Sequence, residues 1–132
     1  MSNMPPQSRS RRKTRMIRLS LPSFREMRAA APGDQTLRLV FDQPQKLRCI
    51  SLAFEENEIA RTQEFVLRWT PDGGNSTKEI VRRQWNFSPP ESTREVEEYQ
   101  VELSSVTVIE LVINPNIGGG LARASLKSLR LS

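Results

Sequence analysis

The sequence predicts an all-β domain, an antiparallel two-sheet β-sandwich of jelly-roll type with about eight strands. Short runs that alternate apolar and polar residues follow one another along the chain, and turn-forming residues separate them. No strand–helix–strand rhythm is visible, so a parallel sheet covered by helices is not expected. The length of 132 residues suits a single domain.

The first half of the chain contains three predicted strands and one short predicted helix. "TRMIRLSL" (14–21) alternates apolar residues with arginines, while "TLRLVFD" (36–42) and "LRCISLAFE" (47–55) each place apolar side chains on one face. "QPQ" (43–45) predicts a turn between the last two. "FREMRAAA" allows about two turns of helix, so we expect a short helix or turn near 24–30.

The second half supplies the remaining strands. They are "EFVLRWT" (64–70), "KEIVRRQWNF" (78–87), "EYQVEL" (98–103), "VTVIELVIN" (106–114) and the closing "ARASLKSLRLS". "PDGGNS" (71–76) is a strong turn signal, and "SPPESTRE" (88–95) reads as a loop. The run "VIELVI" is nearly all apolar, which predicts a central strand covered on both faces.

The positive charge of the chain lies at its beginning. Net charge is +5, no acid precedes Glu26, and six basic residues lie within ten positions near the start: Arg9, Arg11, Arg12, Lys13, Arg15 and Arg18. The rest of the chain carries 14 basic and 15 acidic residues. Residues 1–13 are therefore predicted to form a disordered basic tail on a domain that spans 14–132. We expect the six cations to bind polyanions weakly and without sequence preference.

Composition argues against several classes of protein. The chain has no histidine and a single cysteine, Cys49, which removes the commonest general base and the histidine-paired nucleophiles. No catalytic residue is assigned, and the chain is not expected to be an enzyme. No apolar stretch approaches the roughly 18 residues of a membrane span. Because the start also lacks the apolar core of a secretory signal, a cytoplasmic location is expected.

The second half resembles a known family. In order it reads "FVLRWTPDGG", "VRRQWNFS", "TREVEEYQVEL", "VTVIELVINP" and "ARASLKSLRLS", and "TLRLVFDQPQKLRCISLAF" precedes them. This order resembles the galactose-binding-like sandwiches, meaning discoidin or coagulation-factor C-type domains and the related carbohydrate-binding modules. The resemblance covers roughly 36–132 and implies the jelly-roll fold with binding through its loops.

The sequence departs from the family pattern in the features that would hold a calcium ion or a glycan. Family members often place a structural calcium in an Asp-Gly-Asp segment near the N-terminus, whereas this chain offers only Asp34 there. Sugar-binding members commonly display an aromatic residue, a histidine and an arginine at the loop tips, and this chain has no histidine. We therefore assign no metal and no cofactor.

Polar loop residues are the candidate ligand-binding groups. They are Asp72, Asn75, Arg94, Asn114, Asn116 and Arg123. The triple glycine at 118–120 permits positive φ, for a sharp reversal or for close approach of a ligand or partner.

The aromatic residues are predicted to fill the core. Trp85, Phe87, Tyr99 and Val101 are expected on one face of two adjacent strands. The loops "PDGGNST", "SPPESTRE" and "NPNIGGGLAR" contain no aromatic ring.

Two classes of function remain open. The first is a non-catalytic recognition module that binds a glycan or another polar ligand through its loops. The second is a structural or adaptor subunit that binds protein through the sandwich face, with its basic arm on an anionic partner. Oligomer formation is left open.

Overall fold

The computed structural model describes residues 13–19, 23–24, 27–72 and 76–132, and these residues form strands and turns without a helix. The strands are β1 (Lys13–Leu19), β2 (Ser23–Phe24), β3 (Met27–Pro32), β4 (Gln35–Glu55), β5 (Arg61–Pro71), β6 (Lys78–Phe87), β7 (Arg94–Asn114), β8 (Arg123–Leu126) and β9 (Ser128–Leu131). The predicted all-β class is confirmed. Most of the predicted tail, residues 1–12 with Arg9, Arg11 and Arg12, lies outside the described residues.

The helix expected near 24–30 is wrong. Ser23–Phe24 pairs with β9, and β3 pairs with β8, both antiparallel. The C-terminal strands thus supply backbone partners for this segment. Tertiary pairing overrides the helix preference of its alanines, as it commonly does for short segments.

Two strands of 21 residues, β4 and β7, organise the sheet. Each covers two strands of the sequence prediction, because the expected breaks fall inside a continuous strand. In β4 the register with β7 shifts repeatedly between Val40 and Cys49, across the "QPQ" segment. In β7 the expected break contains Ser105, whose φ of 57° is irregular for a strand.

The two halves of β4 have different neighbours. The strand order is β2-β9-β4-β7-β5-β6, and β1 joins β4 outside this path. The first half of β4 pairs with β1 and with the second half of β7, and that half of β7 also pairs with β5. The second half of β4 pairs with β9 and with the first half of β7. All these ladders are antiparallel except β1 with β4, which is parallel.

The core consists of the apolar faces of both halves. Phe54 in the second half of β4 packs against Phe65 of β5, with ring centroids 5.3 Å apart and both residues fully buried. The buried apolar cluster is formed by Leu37, Leu39, Phe41, Leu47, Ile50, Leu52, Phe54, Phe65, Leu67, Phe87, Val106, Ile109, Leu111, Ile113, Ala124, Leu126, Leu129 and Leu131. Burial of this apolar surface is the main favourable term in folding.

The aromatic residues pack on this core, but their strands are not neighbours. Phe87 is buried, while Trp85, Tyr99 and Val101 are partly buried against the cluster. Because β5 lies between β6 and β7 in the sheet, the expectation of two adjacent strands is wrong. The expectation rested on closeness in sequence, because a short turn joins β6 to β7. Backbone hydrogen bonds between Ser88 and Ser92 close this turn, but the two strands do not form a ladder with each other in the described structure.

Candidate functional site

The predicted binding residues divide between two places. Arg94 pairs with Glu55 at the start of β7, and Asn114 pairs with Glu64 near the start of β5. Asp72 follows the other end of β5, where its N–H donates to the Ser105 carbonyl. Asn75 lies outside the described residues. Both ends of β7 meet at one place, because Arg61 contacts Glu56, which is bonded to Thr93, and also the Pro115 carbonyl. Four of the six residues, Arg94, Asn114, Asn116 and Arg123, therefore belong to this region, which we call the loop end.

A groove of about 290 Å³ lies at the loop end. One wall is the end of β4 with the loop that follows it, residues 55–59, and the other wall is formed from the segment 121–127, of which all but buried Ala124 line the groove. Among the six predicted residues, Arg123 lines this groove, while Arg94, Asn114 and Asn116 lie outside its lining.

Arg61 fixes the two loops of this end relative to each other. Its side chain is 1% exposed; Nε donates to Glu56 Oε1 at 2.6 Å, and one terminal nitrogen donates to the Pro115 carbonyl at 2.7 Å. The same nitrogen donates to Gln63 Oε1 at 3.2 Å, and the guanidinium lies 4.7 Å from the ring centre of Phe87. A buried arginine is stable only when its donors are satisfied, and here they are satisfied by the bases of both loops.

Glu56 gives the first loop its shape. Its Oε2 accepts the backbone N–H groups of Glu58 and Ile59 at 2.9 and 3.1 Å, while Oε1 binds Arg61. Burial acts to raise the pKa of Glu56, but the bonds from Arg61 and the two N–H groups outweigh it and lower the pKa below its usual value. The carboxylate is therefore held ionised by the loop that it organises.

The second loop, residues 115–122, is shaped by its own side chains. Asn114 Oδ1 accepts the N–H of Asn116, and Asn116 Oδ1 accepts the N–H of Gly118. Gly119 and Gly120 then adopt φ values of 89° and 104°, which confirms the positive φ expected of the glycine run. Both asparagine oxygens are thus engaged by the loop itself, which assigns these two residues a structural part.

Two exposed aliphatic residues line the groove. Leu121 is 85% exposed and Ile59 47% exposed, and both line it. Acidic Glu55 and Glu58 belong to the first wall, whereas basic Arg123 and Lys127 belong to the second. The groove therefore combines apolar contact surface with walls of opposite charge. Sequence reasoning missed Ile59 and Leu121; the available signal was a single large apolar residue between polar residues or glycines in "ENEIAR" and "GGGLAR".

A second polar cluster lies inside the sheet, beside Arg61 and Gln63. Glu95 has no exposed surface; its Oε1 accepts from Gln63 Nε2 at 3.3 Å, and no N–H or O–H group of the described residues donates to its Oε2. Neighbouring Glu97 accepts from the Tyr99 hydroxyl at 3.2 Å and pairs with Arg83 at 3.6 Å.

The pKa of Glu95 is raised to about 8, mainly by burial and secondly by the hydrogen bond and charge of Glu97. Glu95 is therefore mostly protonated at neutral pH, and as an acid its hydroxyl can donate to Glu97. Burial, then the charge of Glu97, raises the pKa of Tyr99 as well. Because Glu95 has no contact with solvent, the pair is suited to holding the strands together rather than to exchanging protons with a substrate.

In the part of the chain that the structure describes, no group of three or more His, Cys, Asp or Glu side chains is placed to hold a metal ion. The described residues also include no helix with the length and apolar character needed to cross a membrane.

Comparison with protein-family models and with curated proteins finds no match to this chain.

Proposed function

We propose that this chain is a non-catalytic recognition module that binds a partner polypeptide in the groove at the loop end. The observation that carries this proposal is the pair of exposed aliphatic side chains, Ile59 and Leu121, on a groove whose loops are fixed by Arg61. Aliphatic groups gain from contact with apolar side chains of a partner, and a rigid groove loses little entropy on binding.

The charge of the groove indicates what kind of segment fits. A bound peptide would place an apolar side chain between Ile59 and Leu121, a basic group towards Glu58 and an acidic group towards Arg123. Such an arrangement adds orientation, because reversing the peptide would bring like charges together. This is the adaptor function expected as the alternative from the sequence, with the contact surface at the loop end rather than on the sheet face.

We also propose that the fold is the galactose-binding-like jelly-roll sandwich. Its support is the contact between the two halves of the sheet: Phe54 meets Phe65, and Arg61 lies close to both Glu56 and Pro115. Bends in β4 and β7 then carry each strand from one layer to the other, as occurs where strands switch sheets at a corner.

A glycan or other polar ligand in the same groove is the second candidate function. Arg123 and the acidic wall could bind hydroxyl groups, and the family resemblance implies loops of this kind as the ligand site. The groove lining contains no aromatic ring on which a sugar could stack, so we rank the polypeptide first.

Selection of random displayed peptides against the whole chain, with a glycan array in parallel, tests the proposal. Peptides that bind the wild type should lose most of their affinity for Leu121→Asp and Arg123→Glu. Val96→Asp is the matched control, because Val96 is also an exposed aliphatic residue, at 62%, but does not line the groove. Selected peptides that bind all three variants equally, or ligands found on the glycan array alone, would contradict a polypeptide groove.

A further inference from the structure

Two strand edges of the described structure are unpaired and face each other. β6 pairs only with β5, and the first half of β7 pairs only with β4. Across the space between them, Arg83 of β6 reaches Glu97 of β7 at 3.6 Å. Neither segment contains proline, so every residue of both edges carries a backbone N–H.

Residues of β6 and β7 that lie side by side along the two edges can be matched by counting from the turn that joins the strands. Backbone bonds between Ser88 and Ser92 close the connecting turn, and counting outward from it places Arg83 opposite Glu97, where their side chains meet. The same count places Arg82 at the level of Glu98 and Gln84 at the level of Val96. These two pairs alternate with Arg83 and Glu97 along their strands, so their side chains point away from the space between the edges.

The charges on the two edges are opposite. The exposed charges of β6 are Lys78, Arg82 and Arg83 with one acid, Glu79. Those of the first half of β7 are Glu98 and Glu102 with one base, Arg94, at its start. Pairing either edge with the same edge of another molecule would bring like charges together, which is destabilising in a sheet. Pairing β6 with β7 would bring opposite charges together.

We propose that two copies of this chain form a symmetric dimer through these edges, with β6 of each copy pairing antiparallel to the first half of β7 of the other. A two-fold axis that runs parallel to the strands, midway between the two edges, produces both pairings at once. Rotation about this axis does not shift residues along the strands, so the pairs named above remain side by side. It places Arg82 beside Glu98 and Gln84 beside Val96 in each ladder. Such an interface is closed, so it ends at two copies instead of growing into a fibre.

The proposal accounts for an exposed apolar residue. Val96 is 62% exposed on the free edge. Large apolar residues on an edge strand favour pairing with another chain, and natural edges are commonly protected against it. In the dimer Val96 is covered by the β6 strand of the second copy.

Sedimentation analysis of the full chain over a range of concentrations tests the dimer. Glu98→Arg and Arg82→Glu should each raise the dimer dissociation constant by at least about tenfold, because each change converts two attractive cross-strand pairs into repulsive ones. Combining both changes should restore the dimer. Arg82 also pairs with Glu64 and Glu79 in its own chain, so this restoration separates the interface from a local effect on folding.

The matched control is Glu58→Arg, the same change of charge in the groove loop, which should leave the dimer intact. It also separates this inference from the proposed function, because a peptide-binding groove can fail while the dimer persists, and the reverse.

Disulfide cross-linking tests the register of the ladder. In a Cys49→Ser background, Gln84→Cys combined with Val96→Cys should give a covalent dimer under mild oxidation, because directly opposite residues of a ladder come within reach of a disulfide. Either cysteine substitution alone should not cross-link. A chain that stays monomeric at all concentrations, or a dimer that ignores the charge changes and does not cross-link, would overturn the proposal.

Discussion

Arg61 is buried and connects the two loops of the groove. Its guanidinium contacts Glu56, Gln63 and the Pro115 carbonyl, so three segments depend on one side chain. Sequence alone did not single out this residue, because nothing local distinguishes it from the other arginines. Its burial follows from the pairing of β5 with β6 and β7, which only the three-dimensional structure reveals.

Replacing Arg61 should therefore be costly. Arg61→Met should lower the free energy of unfolding by roughly 3 kcal/mol or more, since it leaves partly buried Glu56 without its ion pair. Arg48→Met is the control, because Arg48 is exposed and lies outside the β6 and β7 edges, so its replacement should cost at most about 0.5 kcal/mol. Denaturant unfolding of both variants gives the comparison, and equal losses would show that Arg61 is not the anchor of the loops.

Glu95 should make stability depend on pH. Its pKa is 4.5 when unperturbed and is raised to about 8 in the fold, so the folded state holds the proton more tightly than the unfolded state. The stabilisation is fully present below the unfolded pKa and is lost as pH rises through the folded one. Wild-type stability should thus fall between about pH 5 and about pH 9, by up to a few kcal/mol at about 1.4 kcal/mol per pKa unit.

Glu95→Gln should flatten this dependence, because the amide does not titrate. Glu102→Gln, which alters an exposed side chain of the same strand, should keep the wild-type slope. Unfolding free energies measured across this pH range decide the matter, and an unchanged slope in Glu95→Gln would remove Glu95 as its source.

Among the strands, alternation predicted the segments well but not their connections. "TLRLVFD" and "LRCISLAFE" both form strands, yet they are one element, β4. A proline between two polar residues has the composition of a turn, and only pairing with β7 shows that the chain continues in an extended form. Of the six residues predicted to bind a ligand, Arg123 lines the groove. Ile59 and Leu121 were missed because apolar residues are usually read as core.

The loss of stability on replacing a glycine of the 118–120 run by alanine should depend on its position. Gly119→Ala should destabilise the fold by about 1–2 kcal/mol, because its φ of 89° is unfavourable for a residue with a Cβ. Gly118→Ala should be nearly neutral, since its Cβ would make only an ordinary contact, 3.4 Å from Asn116 Oδ1. Thermal unfolding of the two variants compares them, and equal effects would contradict a loop controlled by positive φ.

Over the whole molecule, basic charge is concentrated before Glu26 while the remainder is nearly balanced. Three of the six cations, Lys13, Arg15 and Arg18, belong to β1, whose backbone pairs with β4. Whether those three contribute to an anion-binding arm stays a prediction. Deleting residues 1–12 retains β1 and so isolates the contribution of Arg9, Arg11 and Arg12.

The full chain should bind an unrelated DNA duplex weakly, and binding should fall steeply as salt rises, because counterions are released from the phosphates. Deletion of residues 1–12 should reduce both the affinity and the salt dependence. A titration at two salt concentrations measures both. Equal binding without these residues would locate the anion-binding surface on the folded body and contradict the arm.

The location of the binding surface is the central claim, and chemical-shift mapping tests it most directly. A peptide selected against the isotope-labelled full chain should change the amide resonances of residues 55–59 and 121–127, the two walls of the groove. Leu121→Asp should abolish those changes. Peptide-induced changes centred on Asp72, at the other end of β5, or confined to the β6 and β7 edges, would contradict the groove as the recognition surface.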